Sequence, residues 1–584
     1  MIAYLPILAT ALAQQQLSQG PGPADEVLQK VRAAVHYEDW SKSDRALILT
    51  GVVKRDGVSI TYALQFDPKG RWFDKDAPPL ASVGAFDGER YWAADATGAT
   101  VPDSMGRAAE DRYMHALETD LWLSIPSSQV SRIDDDDVYR LYFKFKDTDL
   151  PAFVTVSKRT CLPIRASVPG PFAEVAVKFR DWKSAAGLLV PSAFEEKVQG
   201  ERTNTSVTGA DLADSDPDSL YREPAWVPTD TTFDAYAPTA VPTKRSDDGH
   251  ILVQPLLNGR DVGWFLLDTG ASAMFIDKSV AQDLGLKKLA PTRITGLGGQ
   301  TAGFRCKVDS FSLGPLTVRD LPLDAMDASM ATKALGLQVA GTIGYDLFRR
   351  AVIVVPGGTG DVRITAAIAK PLDAHALRFE EGIPFVHLEC ERGDGWFMLD
   401  TGYDGPVTFF EPFVQKTHLL DGRDVKSGKA QGVGGDAPFK VGQIGWAAFG
   451  GNRVRDPVAV FSSATSGVWA DRYAAGSIGQ YTLKLFDVTF DYGGAGATFT
   501  PAAGVTCIGD DTGRAFTSPG PDWVFVGTLK TFYERHLDPG ETVSIDVLAP
   551  DKVTLVAAGL SHDRYDELEN HKGVRVTFTR PAGP

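Results

Sequence analysis

The chain has 584 residues, 43% of them hydrophobic, with 58 Gly and 36 Pro, so it is globular, with apolar material for about three or four domains. A formal charge of −16 and a pI near 5.1, without a cluster of Lys and Arg, exclude a nucleic-acid partner and disfavour docking on an anionic membrane. The nine His are scattered without ligand spacing, and no nucleotide loop or serine-hydrolase elbow occurs, so neither a metal nor a cofactor is expected.

Residues 1–13 are apolar and close on Ala11-Leu12-Ala13 before a Gln run, which reads as a signal peptide cleaved after Ala13, though without the usual leading Lys or Arg. The segment is too short to span a bilayer, so no transmembrane span is expected and the location is periplasmic or secreted. Residues 22–212 open with an amphipathic helix over 24–36 and continue with period-two strands such as Leu47–Val53, Ser59–Gln65 and Tyr139–Phe145. This is a helix plus antiparallel sheet, an accessory domain with a weak resemblance to lipoprotein carriers of the bacterial envelope. An apolar concave face would suit a lipid or peptide; a merely packed accessory domain is the plainer alternative. Asp134–Asp137 reads as a solvated loop, with calcium ligation the lesser option.

Asp, Pro, Ser and Thr dominate 213–249, which reads as a linker. Residues 503–584 hold apolar runs at Trp523–Val526, Val543–Val547, Val553–Val556 and Val574–Phe578, so a small β-rich domain is expected. A PDZ-like module is one option there, although its motifs do not match. Cys161, Cys306, Cys390 and Cys507 stand far apart and are taken as buried thiols.

Between linker and tail the sequence repeats itself. Phe265-Leu-Leu-Asp268-Thr269-Gly270-Ala271 and Phe397-Met-Leu-Asp400-Thr401-Gly402-Tyr403 set one tripeptide behind one apolar approach, each preceded by a hairpin with turns at Asn258-Gly259 and near Gly393-Asp394-Gly395. Each is followed by a Gly-rich run, Gly296-Leu297-Gly298-Gly299 and Gly432-Val433-Gly434-Gly435, and then by Ile343-Gly344 and Ile478-Gly479. Asp268 to Asp400, Gly296 to Gly432 and Gly344 to Gly479 are spaced by 132, 136 and 135 residues, so the landmarks stay in register. A third copy, Asp511-Thr512-Gly513, lacks the apolar approach and reads as a solvated turn. Two carboxylates delivered by matching halves can share one proton and supply a general acid and a general base together.

These residues resemble the bacterial retropepsin-like aspartic peptidases, related to retroviral proteases and pepsins, over about residues 248–502. The resemblance implies a mainly β, two-lobed retropepsin/pepsin-like peptidase, with lobes over 250–366 and 367–502 and β-rich accessory domains on either side. It implies Asp268 and Asp400 as the catalytic dyad, with Thr269 and Thr401 bonded across the axis, Gly270 and Gly402 allowing close approach, and Ile343-Gly344 and Ile478-Gly479 as braces. The Gly-rich runs become flaps over a peptide or protein substrate, flaps on both halves favouring the retropepsin type over pepsin. Ala271 and Tyr403 would border the site, and the bulky Tyr403, where the family has a small residue, would narrow a subsite or plug it. The expected activity is endopeptidase hydrolysis by a single chain; the alternatives are a binding pseudo-peptidase and a scaffold for envelope proteins.

Overall fold

A computed structural model describes residues 24–502 apart from short internal stretches, the longest being 367–373, together with strands Thr542–Val547 and Val574–Thr579. The expected signal segment, Gly298, Val433, Gly434, Cys507, Asp511–Gly513 and most of the tail lie outside the described residues. The fold is mainly β, and the chain divides into a unit ending at Ala225 and a unit beginning at Trp226. Among the described residues no helix is long and apolar enough to cross a membrane.

In the first unit a helix spans Asp25–Val35 and buries Val27, Leu28, Val31 and Val35, one apolar stripe at helical spacing. His36 ends it in the left-handed region, φ 61°, its N–H returning to the Arg32 carbonyl. Among the described residues thirteen antiparallel strands follow as one sheet, in which the first (Arg45–Arg55) and the last (Glu201–Asp214) pair at the centre. Period-two burial, as in Pro151–Ser157, turns one face to the core. The two tail strands pair antiparallel with each other.

In the second unit the order Ile251–Val253 (β1), Trp264–Leu267 (β2), Phe275–Asp277 (β3), Ala290–Gly296 (β4), Gly299–Leu313 (β5), Leu316–Met326 (β6), Val339–Ile343 (β7) is followed by Ile383–Cys390 (β8), Gly393–Asp400 (β9), Val407–Phe409 (β10), Lys426–Gly432 (β11), Gly435–Gln443 (β12), Val458–Ser462 (β13) and Gly476–Gly479 (β14). The pairing of β1–β7 recurs in β8–β14. β1 runs antiparallel to β2 as β8 does to β9. β2 is parallel to β7 as β9 is to β14. β3 is parallel to β6 and antiparallel to β7, as β10 is to β13 and β14. The hairpins β4–β5 and β11–β12 close on the pairs Gly296/Gly299 and Gly432/Gly435.

A six-stranded sheet joins the halves through Val352–Val355, which pairs with Phe486–Asp491. Phe348, Phe490, Tyr492 and Phe379 pack around it, with ring centroids 5.1–6.3 Å apart. Segment 213–249, expected as a linker, is more structured than its composition announces. Thr231–Phe233 pairs with β6, Ala240–Val241 with Val362–Thr365, and Thr243–Arg245 with β1. Strands of two or three residues are too short to show a period, and their partners come from distant sequence.

The turn at Asn258-Gly259 has φ of 51° and 74°, both positive, as a two-residue hairpin turn requires. In the second half the turn falls at Glu391-Arg392, and Gly393 to Gly395 already belong to β9, because Cys390 pairs with Gly393. Cys306 and Cys390 are buried free thiols, burial pushing Cys306 up to about 12. Cys161 is half-exposed in a left-handed turn position, φ 57°, so the expectation of a buried thiol does not hold there.

Candidate active site

β2 ends at Leu267 and β9 at Asp400, so each apolar strand delivers its Asp-Thr-Gly to the same end of its half. The Asp268 N–H is held by the Ile343 carbonyl at 2.9 Å, and Asp400 pairs in register with Gly479. The loops are tied to each other by four crossed bonds. Thr269 N–H donates to Thr401 Oγ1 at 2.9 Å and Thr401 N–H donates to Thr269 Oγ1 at 3.0 Å. The hydroxyls donate onward, Thr269 to the Leu399 carbonyl at 2.6 Å and Thr401 to the Leu267 carbonyl at 2.8 Å. Both Thr are 1% exposed, so each hydroxyl must accept and donate at once, which Ser or Thr can do and Val cannot.

Gly270 and Gly402 allow the carboxyls to cross. A Cβ on Gly270 would lie 2.6 Å from Asp400 Cγ, and one on Gly402 would lie 2.3 Å from Asp268 Cγ. Each carboxylate also accepts its own loop's N–H, Gly270 to Asp268 at 2.8 Å and Gly402 to Asp400 at 3.0 Å. The two carboxyls hydrogen-bond to one another. Loss of solvation, although both keep some accessible surface, raises both above the ordinary carboxyl range. Asp400 goes much further, because the charge on Asp268 repels a second charge; Asp268 is restrained by the Gly270 N–H, by the bond from Asp400 and by His250. The pair therefore holds one proton over a wide range, with Asp400 the carboxyl that keeps it more tightly.

Gly344 and Gly479 stand directly behind the loops. A Cβ on Gly344 would meet the carbonyls of Ala273 and Ala271 at 2.3 and 2.5 Å; one on Gly479 would meet the Gly405 carbonyl at 2.3 Å and Tyr403 Cδ1 at 2.6 Å. Tyr345 and Gln480, next in line, donate N–H to the carbonyls of Ala271 and Tyr403 at 3.0 and 2.7 Å. Ile343 and Ile478 are fully buried.

The Tyr403 ring turns away from the dyad into its own half. Its hydroxyl bonds to Thr408 Oγ1 at 3.1 Å, and the ring meets Trp469 edge-on at 5.8 Å. Burial pushes its phenol up. The other half differs in sequence at the matching positions. Thr408 opposes Ser477 on β14, and its counterpart Phe275 opposes Thr342 on β7, so Ala271 with Phe275 replaces Tyr403 with Thr408.

Leu297, at the tip of the first hairpin, lies against the other half: a Cβ on Gly432 would be 2.6 Å from Leu297 Cβ, and one on Gly467 2.3 Å from the Leu297 carbonyl. Gly467 has φ 74°, so both its backbone and that contact require glycine. It opens a loop that carries Trp469, edge-on to Phe439 of β12 at 6.2 Å, and the buried Asp471. Asp471 accepts from the N–H of Tyr473 at 2.7 Å and of Ala474 at 3.0 Å, and burial pushes it up to about 6.

His250, Trp469 and Asp471 are absent from the motif reading. His250 Nε2 lies 3.1 Å from the Gly402 carbonyl. Its one sequence signal is a faint extension of the repeat, Asp247-Asp-Gly-His250-Ile against Glu380-Glu-Gly-Ile383-Pro. Among the described residues no group of His, Cys, Asp and Glu is arranged to hold a metal.

The aspartyl protease family model matches residues 253–347, a stretch that includes Asp268, the first Gly-rich hairpin and Ile343-Gly344. The chain holds an aspartic-protease-like domain. The match does not extend to the second half. Among solved structures, a retropepsin-like aspartic protease from Rickettsia conorii aligns at 19% identity over 21% of this chain and 95% of its own, with a TM-score of 0.16. A LolA superfamily protein from Nitrosomonas europaea aligns at 13% identity over 35% of this chain and 98% of its own, with a TM-score of 0.25. The MucA/MucB complex from Pseudomonas aeruginosa aligns at 12% identity over 54% and 98%, with a TM-score of 0.15. No curated protein matches by sequence.

Proposed function

We propose that the chain is an exported aspartic endopeptidase, active as one molecule, in which 250–366 and 367–502 are the two lobes of a retropepsin-like unit and Asp268 and Asp400 form the dyad. The observation that carries this reading is the set of crossed Thr269/Thr401 bonds, which ties the two Asp-Thr-Gly loops together with their carboxyls side by side. A water between them loses its proton to ionised Asp268 as its oxygen attacks the scissile carbonyl carbon, while the Asp400 proton passes to the carbonyl oxygen. The tetrahedral intermediate then collapses: the C–N bond breaks, the nitrogen takes the proton held by Asp268, and Asp400 recovers its own. Substrate lies extended beneath the hairpins 290–313 and 426–443.

The pseudo-peptidase reading required Tyr403 to plug the cleft, and a ring tied to Thr408 gives that reading no support. The test is incubation of the purified chain with a diverse peptide library between about pH 3 and 8, sequencing the products. Cleavage that Asp268→Asn or Asp400→Asn abolishes is expected; a chain that cuts nothing, or a variant that still cuts, ends the proposal.

A further inference from the structure

The halves repeat each other's strands but not each other's charge around the dyad. In β1, Leu252 pairs with Leu266; in β8, Phe385 pairs with Met398. Two residues earlier stand His250 and Ile383, each preceded by a left-handed glycine, Gly249 at φ 96° and Gly382 at φ 84°. The turn before His250 is closed by bonds from Ser246 N–H to the His250 carbonyl and from Gly249 N–H to the Ser246 carbonyl, both 3.0 Å. The imidazole is thereby delivered to the Gly402 carbonyl at 3.1 Å. A carbonyl only accepts, so the proton is on Nε2. Asp268 lies against that same Gly402, where a Cβ would be 2.3 Å from its Cγ. The twofold-related position offers an aliphatic side chain, which can neither donate nor carry charge.

We propose that His250 is a positioning residue that breaks the twofold symmetry of the dyad, fixing Asp268 as the carboxylate that keeps the negative charge and Asp400 as the one that keeps the proton. This rests on the peptidase reading for its consequence in turnover, but not for its test. A positive charge this near to Asp268 favours its ionised form, and His250 acts on Asp268 in that direction. The other ionisable neighbours do not oppose the assignment. The phenols of Tyr403 and Tyr492 also interact with the dyad, and burial keeps both neutral, with Asp404 facing Tyr403 and Tyr345 facing Tyr492. Neither supplies positive charge.

The experiment is a double-substitution cycle on the full chain. Unfolding midpoints are measured from pH 3 to 8 for the wild type, His250→Gln, Asp268→Asn and the double variant; Gln keeps a donor for the Gly402 carbonyl but no charge. Asp268 is raised, so it contributes stability in full below the ordinary carboxyl range and that contribution is lost as pH rises through its folded value. Removing the His250 charge raises that value again. The upper end of this decline should therefore move up by about one pH unit in His250→Gln. No such displacement should remain when Asp268 is Asn. The acid limb of kcat/KM should move up by the same amount, and Ile383→His should oppose it by favouring charge on Asp400. Midpoints that combine additively at every pH overturn the inference. Failure of the wild type to cleave any peptide overturns the peptidase reading instead, and leaves the cycle as decisive as before.

Discussion

The two halves of the second unit share seven strands, their pairing and an Asp-Thr-Gly, and they differ in what surrounds the tripeptide. The first half carries Ala271, Phe275 and His250; the second carries Tyr403, Thr408 and Ile383. The shared set is what two loops need to lock together, because a crossed bond exists only if both partners supply it. The unshared set lies behind or beside the loops, where the Tyr403 ring packs against Gly479 and Trp469 of its own half and no bond has to be matched by the other half. Symmetry is thus retained where the halves touch and lost where each packs against itself.

The sharpest way to break the comparison is to remove one carboxyl. Asp268→Asn and Asp400→Asn should each lower kcat/KM by at least about 10³-fold, since neither half supplies both acid and base. Asp511→Asn should leave peptide cleavage unchanged. Unequal residual rates for the two Asn variants would show that the halves are not equivalent as acid and base.

The crossed bonds come next. Thr269→Val removes an acceptor for the Thr401 N–H and a donor to the Leu399 carbonyl, both buried, so a loss of about 3–4 kcal/mol is expected. Thr401→Val should cost about the same by denaturant unfolding, because its bonds are the mirror set. A difference of more than about 1 kcal/mol between them would mean that the axis is not a true twofold.

Tyr403 sharpens the comparison differently. Tyr403→Ala should cost about 3 kcal/mol by opening a cavity beside Trp469 and Gly479, without raising the cleavage rate. Adding Thr408→Phe, which copies the Ala271/Phe275 solution, should return part of that stability. A faster Tyr403→Ala enzyme would revive the plugged-cleft reading.

What was legible in the sequence was whatever had to occur twice. Asp268 and Asp400, their Thr and Gly neighbours and the Gly-rich hairpins announce themselves because a pair in register is improbable by chance. The geometry brings the two Asp and their Thr and Gly neighbours together, and adds the reason for Gly270, Gly402, Gly344 and Gly479. His250 was illegible because its role depends on standing once, against Ile383. The short strands of 231–245 were missed because two residues carry no period, and Pro- and Asp-rich composition reports exposure rather than pairing. Asp471 reads like any surface acid until the fold is seen to bury it and to turn the Tyr473 and Ala474 N–H groups onto it.

Asp471 gives the smallest expected effect and concerns a loop that meets the opposite hairpin. Its carboxyl is pushed up to about 6 because burial costs more than the Tyr473 and Ala474 N–H bonds return. A raised acid contributes stability in full below its unfolded value near 3.8, and that contribution fades as pH climbs through about 6. The midpoint for the second unit should therefore fall by the equivalent of about 2 kcal/mol between about pH 4 and 6 on this account alone. In Asp471→Asn an amide oxygen still accepts both N–H groups, but no charge forms, so the decline should flatten while the midpoint above about pH 6 holds or rises. Because Gly467 of the same loop carries the Leu297 contact, ionisation of Asp471 should also loosen that seat, which hydrogen exchange in residues 290–305 at pH 5 and 7 would read. Equal exchange at the two pH values, after correction for the intrinsic rate, would separate the loop's stability from its contact with the hairpin and leave Asp471 a local cap.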